Sequence, residues 1–207
     1  MIHANNLIHF YGKERAIDGI SLRVAPGEFV ALTGESGSGK STLLAILSTL
    51  LRPDSGELRI DGKPAKEWGD LNRFRREYIG FVFQFHYLIP YLSVAENVAL
   101  AAGRERREAI PELLDRLGIA EIAPKKADEI SGGQRQRAAI ARAVANAPKI
   151  LFADEPTGNL DSKNSRKVFD LFRQIAAEGT TLVVATHDRT LAREADRVLE
   201  IKDGRLV

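Results

Sequence analysis

The stretch "GESGSGKS", residues 34–41, constrains the fold of this chain more than any other part of its sequence. It matches the pattern G-x-x-x-x-G-K-[ST] and lies between an apolar run, "EFVALT" (28–33), and a helix-forming run, "STLLAILSTLL" (41–51). We interpret the first run as a buried strand and the second as a helix that stops before Arg52-Pro53. Glycines in such a loop let backbone N–H groups converge on an anion at the helix N-terminus, so the sequence predicts a phosphate-binding loop.

The residues of this loop have different expected roles in binding a nucleoside triphosphate. Lys40 is expected to reach the β- and γ-phosphates, and the hydroxyl of Ser41 to ligate Mg²⁺. The other nucleotide-binding candidates are small residues of the loop and of the first helical turn: Gly34, Ser36, Gly37, Gly39 and Thr42. The alternative for the whole stretch is a chance glycine-rich turn, which the flanking strand and helix disfavour.

Two other nucleotide-binding patterns fit the sequence less well. The dinucleotide fingerprint G-x-G-x-x-G would need a third glycine where Thr42 stands. The guanine-reading tetrapeptide N-K-x-D of GTPases has its nearest counterpart in "KKAD" (125–128), which lacks the asparagine. We therefore favour ATP over GTP.

Strand-like segments recur on both sides of a helical middle region. Apolar runs at 149–154, 181–186 and 197–201 have helical segments between them, which predicts a mostly parallel sheet. Residues 20–24 alternate as a half-exposed strand does, and "GELRIDG" (56–62) indicates an edge strand or hairpin.

Helix signals dominate from about residue 84 to residue 146. Ser93 with Glu96 forms a capping box, and "IPELLDRLG" (110–118) has helical spacing. The predicted fold class is therefore α/β, with a P-loop NTPase core that an all-helical insertion interrupts. We predict one domain, with the core at 1–83 and 147–207 and the insertion at about 84–146.

An acidic pair follows one of the predicted strands, in "ILFADE" (150–155). Ligands bind at the carboxyl ends of strands in open α/β sheets, so Asp154 is expected to hold Mg²⁺ and Glu155 to polarise the attacking water. A general base of this kind contributes about 10²–10⁴-fold to a rate. A solvated turn is the alternative, which the complete phosphate loop upstream disfavours.

Composition excludes several classes of protein. The 207 residues suffice for one substantial core, and a net charge of +2 without blocks of like charge argues against a nucleic-acid partner. The chain has no cysteine, which excludes disulfides, thiolate zinc sites and thiol catalysis. Polar residues interrupt its longest apolar region (78–102), and no export signal is visible at the N-terminus, so we expect a cytosolic chain.

The stretch "SGGQ" (131–134) opens a helix-forming segment and forms a second potential anion site. It resembles the signature sequence of ABC-type ATPases, and further motifs of that family occur in order along essentially all 207 residues. These motifs are Tyr11 in "FYGK", Gln84 at the end of "IGFVFQ", Asp161 in "GNLD" and His187 in "ATHD". One departure is Ile130, where the family usually has leucine, a substitution of similar volume.

The resemblance implies a role for each motif and an antiparallel β subdomain beside the core. Tyr11 would stack on adenine, and Gln84 would sense Mg²⁺ and the attacking water. His187 would contact the γ-phosphate and position Glu155, while Asp161 would lie at a dimer interface. The plainer alternatives are a packed aromatic for Tyr11, a surface amide for Gln84 and a satisfied strand-end histidine for His187.

The resemblance further implies a homodimer whose two copies pack head to tail. Residues of the signature would then close on the ATP held by the other copy, in place of an arginine finger. These residues are Ser131, Gly132, Gly133 and Gln134. A single chain would be a weak ATPase, because each of its sites would be half complete.

The resemblance also implies an integral membrane subunit, bound at a groove near 84–98 that includes "FHYLIPYLSVAENV" (85–98). The motifs look most like those of bacterial lipoprotein-release, macrolide-export and cell-division ATPases. The expected function is the ATP-hydrolysing motor subunit of a bacterial ABC transporter for export or extraction, peripheral on the cytoplasmic face of the membrane. A transmembrane signalling scaffold without a transported substrate stays open as the alternative.

A soluble ABC ATPase of DNA repair or translation is disfavoured. Between its two anion sites the chain has no long coiled-coil insertion, and it has no second ATPase half. It ends at "DGRLV", so no C-terminal regulatory domain is expected.

Overall fold

The computed structural model describes residues 1–158 and 160–207. The strands in these ranges are β1 (Ile2–Tyr11), β2 (Glu14–Val24), β3 (Phe29–Thr33), β4 (Ser55–Ile60), β5 (Lys63–Pro64), β6 (Ile79–Val82), β7 (Ile150–Asp154), β8 (Thr181–Ala185), β9 (Arg197–Lys202) and β10 (Arg205–Leu206). The α-helices are α1 (Lys40–Leu47), α2 (Leu71–Tyr78), α3 (Val94–Ala101), α4 (Ile110–Arg116), α5 (Gly132–Val144), α6 (Ser162–Ala177) and α7 (Arg189–Ala192). Short 3₁₀ helices lie at Ala65–Glu67, Arg104–Ala109 and Ala120–Ile122.

One sheet of six strands has the order β10-β9-β3-β8-β7-β6. Its strands β9, β3, β8, β7 and β6 are parallel, which confirms the prediction of a mostly parallel α/β core. The strand before the phosphate loop, β3, is buried along its whole length near the middle of this sheet. Its continuous apolar sequence is typical of a parallel strand that is covered on both faces.

A second sheet of four antiparallel strands has the order β2-β1-β4-β5. It confirms the antiparallel β subdomain, with the predicted strand at 20–24 inside β2. The sequence analysis did not identify β1, because the register of this strand is irregular between Ala4 and Leu7 and Asn6 has a φ of +48°. Such an irregularity interrupts the period-two alternation by which strands are recognised.

The helix after the phosphate loop is shorter than predicted. The prediction extended it to residue 51, but α1 ends at Leu47. Ser48 still donates its backbone N–H to the carbonyl of Leu44 at 2.9 Å, and Thr49 then has a left-handed φ of +62°. A left-handed residue commonly ends a helix, and the helix-forming composition of this run gives no sign of it.

The middle region folds as helices α3, α4 and α5 with short 3₁₀ turns, as predicted. The capping box is present at α3: Glu96 donates its backbone N–H to Ser93 Oγ at 3.1 Å, and Ser93 donates its own to Glu96 Oε2 at 2.7 Å. The limits of the insertion at 84 and 146 stay a prediction.

Two apolar clusters cover the two faces of the six-stranded sheet. On one face the insertion and α6 share a core, which includes Val98, Ile140, Leu151 and Phe172. On the other face α1 and the antiparallel sheet share a second core, which includes Ile20, Leu43, Val30 and Phe152. Burial of each side chain of this size stabilises the folded state by about 1.5–3 kcal/mol. The insertion, α6, α1 and the antiparallel sheet are therefore all held against the six-stranded sheet.

Candidate nucleotide-binding site

The site lies at the carboxyl edge of the parallel sheet. Adjacent strands are in register there, because Val82 pairs with Ala153 and Asp154 pairs with Ala185. The segments that follow β3, β6, β7 and β8 therefore meet at one edge, where open α/β sheets bind ligands. These segments carry the phosphate loop, Gln84, Glu155 and His187.

The phosphate loop requires glycine at two positions. Gly34 has a φ of +150° and Gly39 one of +107°. A Cβ on Gly34 would overlap the carbonyl oxygen of Ile201, and a Cβ on Gly39 would lie 2.6 Å from the carbonyl oxygen of Ala16. The loop therefore packs closely against the backbone of β9 and β2, and only glycine fits at these two positions.

Lys40, the first residue of α1, is directed into this loop. Its buried ammonium donates hydrogen bonds to the carbonyl oxygens of Gly34 at 2.8 Å and Glu35 at 2.9 Å. It also lies 3.8 Å from Glu155 Oε1, which partly balances its charge. Contacts within the chain therefore position the ammonium at the phosphate loop.

The remaining predicted loop residues differ in exposure. Ser36 and Gly37 are exposed at the tip, and Thr42 is half-buried in the first turn of α1. Ser38, which was not among the predicted site residues, has a buried hydroxyl with no hydrogen-bond partner within the described residues. An unsatisfied hydroxyl in an anion cradle fits a ligand that supplies acceptor oxygens.

Ser41 and Asp154 form a pair of oxygen donors. The hydroxyl of Ser41 donates to Asp154 Oδ1 at 3.0 Å, across the gap between α1 and β7. Burial raises the pKa of Asp154, and the negative charge of Glu155 raises it further against the opposing effects of Ser41 and Lys40. A hydroxyl and a desolvated carboxylate are donors that a hard divalent cation prefers, so this pair fits Mg²⁺.

Glu155 and His187 are joined directly. Glu155 Oε2 lies 2.7 Å from His187 Nδ1, and the backbone N–H of His187 points at the same oxygen at 3.3 Å. Glu155 has a left-handed φ of +44°, and it donates its backbone N–H to the carbonyl of Ala185 at 2.9 Å. Strained backbone of this kind at a non-glycine residue is concentrated at functional sites.

Gln84 and Tyr11 border the site from two sides. Gln84 is exposed, and its Nε2 would lie 3.8 Å from a Cβ on Gly158, in the loop after Glu155. Tyr11 ends β1 and is 55% exposed, which disfavours the packed-aromatic alternative. The hairpin that carries Tyr11 lies beside the phosphate loop, because Ala16 of β2 contacts Gly39.

The signature residues lie in a separate cluster. Ser131 is the N-cap of α5, and it exchanges hydrogen bonds with Gln134 in a capping box of 3.3 and 2.9 Å. A Cβ on Gly132 would lie 4.0 Å from Leu160, and one on Gly133 would lie 3.1 Å from Asn164. The signature therefore adjoins the start of α6, and no hydrogen bond of the described residues joins it to the phosphate loop.

Asp161 caps α6 within the same cluster. Its carboxylate accepts the backbone N–H of Asn164 at 2.8 Å and the side-chain amide of Asn164 at 2.7 Å. The backbone hydrogen bond lowers the pKa of Asp161, so this carboxylate stays ionised at the helix N-terminus. Asn159 of the same motif lies outside the described residues.

Arg142 is a second residue that the sequence analysis did not identify. Its guanidinium donates to the backbone carbonyl oxygens of His86, at 2.6 Å, and of Tyr87. Burial lowers the pKa of Arg142, and burial beside Arg135 and Arg142 lowers the pKa of His86. Because these partners are more than fifty residues apart in sequence, no local pattern marks the contact.

The phosphate cradle and the acidic pair behind it define a P-loop ATPase. The family model described as ABC transporter matches residues 17–158 of this chain. The chain belongs to this family, as an ATPase subunit of the type found in lipoprotein-releasing and macrolide-export systems. The predicted family, fold class and enzymatic activity are thereby confirmed.

Two curated relatives illustrate this similarity. The chain is 46% identical to the lipoprotein-releasing system ATP-binding protein LolD of Aquifex aeolicus (strain VF5), over 100% of this chain and 96% of that protein. It is 45% identical to the macrolide export ATP-binding/permease protein MacB of Burkholderia pseudomallei (strain 1710b), over 92% of this chain and 30% of that protein.

A solved structure is similar over the whole chain. It is the dimeric structure of a post-hydrolysis state of an ATP-binding cassette bound to ADP and Pi. The TM-score is 0.90 at 40% identity, and the match covers 100% of this chain and 96% of that one. No helix in residues 1–158 and 160–207 is both long and apolar enough to cross a membrane.

Proposed function

We propose that this chain is a motor subunit that dimerises around two ATP molecules and drives a separate membrane subunit in export or extraction of a substrate. The observation that carries the proposal is the separation of the two anion sites. Gly132 and Gly133 approach Leu160 and Asn164, and no hydrogen bond of the described residues joins Ser131 to the phosphate loop of the same chain, so a second copy would complete each site. The dimeric cassette that matches the whole chain supports this arrangement.

Several residues of the cradle would hold the nucleotide and its metal. The phosphate chain would lie in the loop of Gly34 to Gly39, with Lys40 against the terminal phosphates and Tyr11 under the base. Ser41, Asp154 and Gln84 would hold Mg²⁺, which supplies charge neutralisation at the phosphates. The described residues contain no group of three or more His, Asp or Glu placed to hold a metal, so phosphate and water oxygens would complete the coordination.

Glu155 would act as the general base. Its carboxylate is half-buried and lies beside Lys40, and its Oε2 is held by His187, so its orientation is restricted. The carboxylate of Glu155 would accept a proton from the attacking water, and His187 would keep the carboxylate aligned and contact the γ-phosphate. Loss of one such base typically costs about 10²–10⁴-fold in rate.

The signature would act on the ATP of the other copy. The N-terminus of α5 presents the hydroxyl of Ser131 and the first backbone N–H groups of the helix, at Gly132 and Gly133. These donors and the helix dipole would stabilise charge that develops on the transferred phosphoryl group. Asp161 would lie between the two copies, because it belongs to the cluster that contacts the signature.

The membrane subunit would bind next to Gln84. Within 85–98 three aromatic side chains are exposed, Phe85 at 62%, Tyr87 at 65% and Tyr91 at 72%. Large aromatic side chains often anchor protein interfaces, and Arg142 holds the backbone at His86 and Tyr87. The chain would accordingly be peripheral on the cytoplasmic face of the membrane.

The dimer is tested with Glu155→Gln. This variant should bind ATP, form a stable dimer in light scattering after size exclusion, and hydrolyse ATP at least 100-fold more slowly, as loss of a general base implies. The specific activity of the unmodified protein should rise with its concentration. A fully active monomer, or a Glu155→Gln variant with undiminished turnover, would refute the proposal.

The membrane partner is tested by co-purification from native membranes. A Tyr87→Ala/Tyr91→Ala double variant should lose the membrane protein, and a Leu50→Ala variant, which alters an exposed apolar residue outside 85–98, should keep it. A partner with a large extracytoplasmic domain and bound cargo would support transport. A partner bound to a cell-wall hydrolase would instead identify a signalling scaffold.

A further inference from the structure

His9 is a buried polar residue that none of the roles above uses. Its side chain lies in β1 and is only 7% exposed. Neither of its ring nitrogens makes a hydrogen bond to any part of the chain that the structure describes. Buried polar groups are usually satisfied, so an imidazole left in this state needs an explanation.

The His9 ring contacts the ring of Tyr11. Their ring centroids are 4.9 Å apart with an interplanar angle of 88°. This edge-to-face geometry is favoured for aromatic pairs, because the positive edge of one ring meets the negative face of the other. Phe10, between them, instead contacts the guanidinium of Arg15 at 5.0 Å.

Asp54 holds the same part of β1. Its Oδ2 accepts the backbone N–H of Phe10 at 2.7 Å, and it lies 3.1 Å from His9 Nδ1 without the alignment of a hydrogen bond. The backbone N–H of Asp54 in turn donates to the carbonyl of Ile8 at 2.9 Å. The strand on both sides of His9 is thus fixed, and the imidazole has little freedom to turn away from Tyr11.

Tyr11 itself has few other restraints. It is the last residue of β1 and more than half exposed, while the hairpin that carries it is fixed against the phosphate loop through Ala16 and Gly39. The backbone at Tyr11 is therefore fixed in a position where a base could lie on the ring. The orientation of the ring itself depends on its contact with His9.

We propose that His9 is a positioning residue, which holds the Tyr11 ring in the orientation that stacks on the base of the bound nucleotide. This inference rests on the base-stacking role proposed for Tyr11. Without the imidazole, the Tyr11 ring populates other orientations, and only the fraction of molecules with the stacking orientation is competent to bind the base. The apparent dissociation constant for ATP rises in inverse proportion to this competent fraction. A competent fraction of about one in three to one in ten gives a roughly 3- to 10-fold weaker affinity.

The experiment measures two dissociation constants by calorimetry on the purified chain, one for ATP and one for inorganic tripolyphosphate, which has no base. His9→Ala should weaken ATP binding about 3- to 10-fold and leave tripolyphosphate binding unchanged. His9→Phe keeps an aromatic ring at this position and should restore ATP affinity to within about 2-fold. In a Tyr11→Ala background, His9→Ala should have no further effect on ATP binding.

Three results would overturn the inference, and they are distinguishable. Equal weakening of ATP and tripolyphosphate binding by His9→Ala would mean that the imidazole only supports the fold near the phosphate loop. Unchanged ATP affinity in His9→Ala, with a loss in Tyr11→Ala, would refute the role of His9 and leave base stacking intact. Unchanged affinity in Tyr11→Ala would refute base stacking itself, and the positioning role with it.

Discussion

Arg142 of helix α5 binds the backbone carbonyl oxygen of Tyr87, and the same guanidinium binds that of His86. Tyr87 has a left-handed φ of +47°, so this contact supports a strained segment just after Gln84. It also joins that segment to the helix whose first residues are the signature. The position of the exposed aromatic side chains and the position of the signature are therefore linked through one side chain.

Arg142→Ala should lower the free energy of unfolding by about 3–6 kcal/mol, because it removes two hydrogen bonds from a charged group, each worth about 1.5–3 kcal/mol net. Urea titration followed by circular dichroism measures this. Arg135→Ala, in the same helix, is the matched control and should change stability by less than about 0.5 kcal/mol. Equal effects of the two variants would show that the carbonyl contacts contribute little.

Gly39→Ala should destabilise the protein more than Gly37→Ala. Both positions have a left-handed φ, which costs an L-residue about 1–2 kcal/mol. At Gly39 the new Cβ would in addition lie 2.6 Å from the carbonyl oxygen of Ala16, while at Gly37 no atom of the described residues would lie within 4 Å of it. We expect an extra cost of about 1–3 kcal/mol for Gly39→Ala in thermal unfolding, and equal costs would contradict the close approach.

Asp154→Asn should stabilise the nucleotide-free protein at pH 7. Burial and the charge of Glu155 raise the pKa of Asp154 above the usual 3.8, so the folded state binds this proton more tightly than the unfolded state. The contribution of Asp154 to stability is then greatest below pH 3.8 and is lost as the pH rises through the raised folded-state pKa.

The measurement for Asp154 is urea unfolding at several pH values. The stability gain of Asp154→Asn should be present at pH 7 and shrink as the pH falls through the raised folded-state pKa, because the carboxyl group of the unmodified protein then takes up its proton. Asparagine keeps an acceptor for the hydroxyl of Ser41. A gain that does not depend on pH would exclude desolvation of the carboxylate as its cause.

Substitutions at Ser131 should separate helix capping from the action of the signature on the other copy. Ser131→Ala removes the cap of α5 and should cost about 1 kcal/mol of stability. Ser131→Asp keeps a good N-cap, so stability should be retained, but its charge would face the phosphates of the other copy and abolish hydrolysis.

For Ser131→Asp the decisive comparison is between nucleotide binding and turnover. ATP binding to the monomer should stay within about 3-fold of the unmodified protein while turnover falls at least 100-fold, the range for lost electrostatic stabilisation of a transition state. If ATP binding to the monomer were lost as well, the signature would act within its own chain, and the two-copy site would be refuted.

Local patterns identified most of the elements around the site. The phosphate loop, the acidic pair at the end of β7 and the capping box at Ser93 each depend on residue types at fixed short spacing, and the structure has the predicted strands and helices there. Prediction was poorer where the backbone conformation of one residue decides where a helix ends or whether a strand can be recognised. The left-handed Thr49 ends α1 early, and the irregular register near Asn6 obscures β1.

The sequence by itself determined the chemistry of this protein: a lysine and a serine in a glycine cradle, an acidic pair at a strand end and a signature at a helix start. Only the tertiary structure decided which of these groups meet. It brings Glu155 to Lys40, sets Gly133 against Asn164 instead of the phosphate loop, and binds Arg142 to His86. The physical reason is that chemical type resides in single side chains, whereas contacts between residues distant in sequence arise from the packing of whole strands and helices.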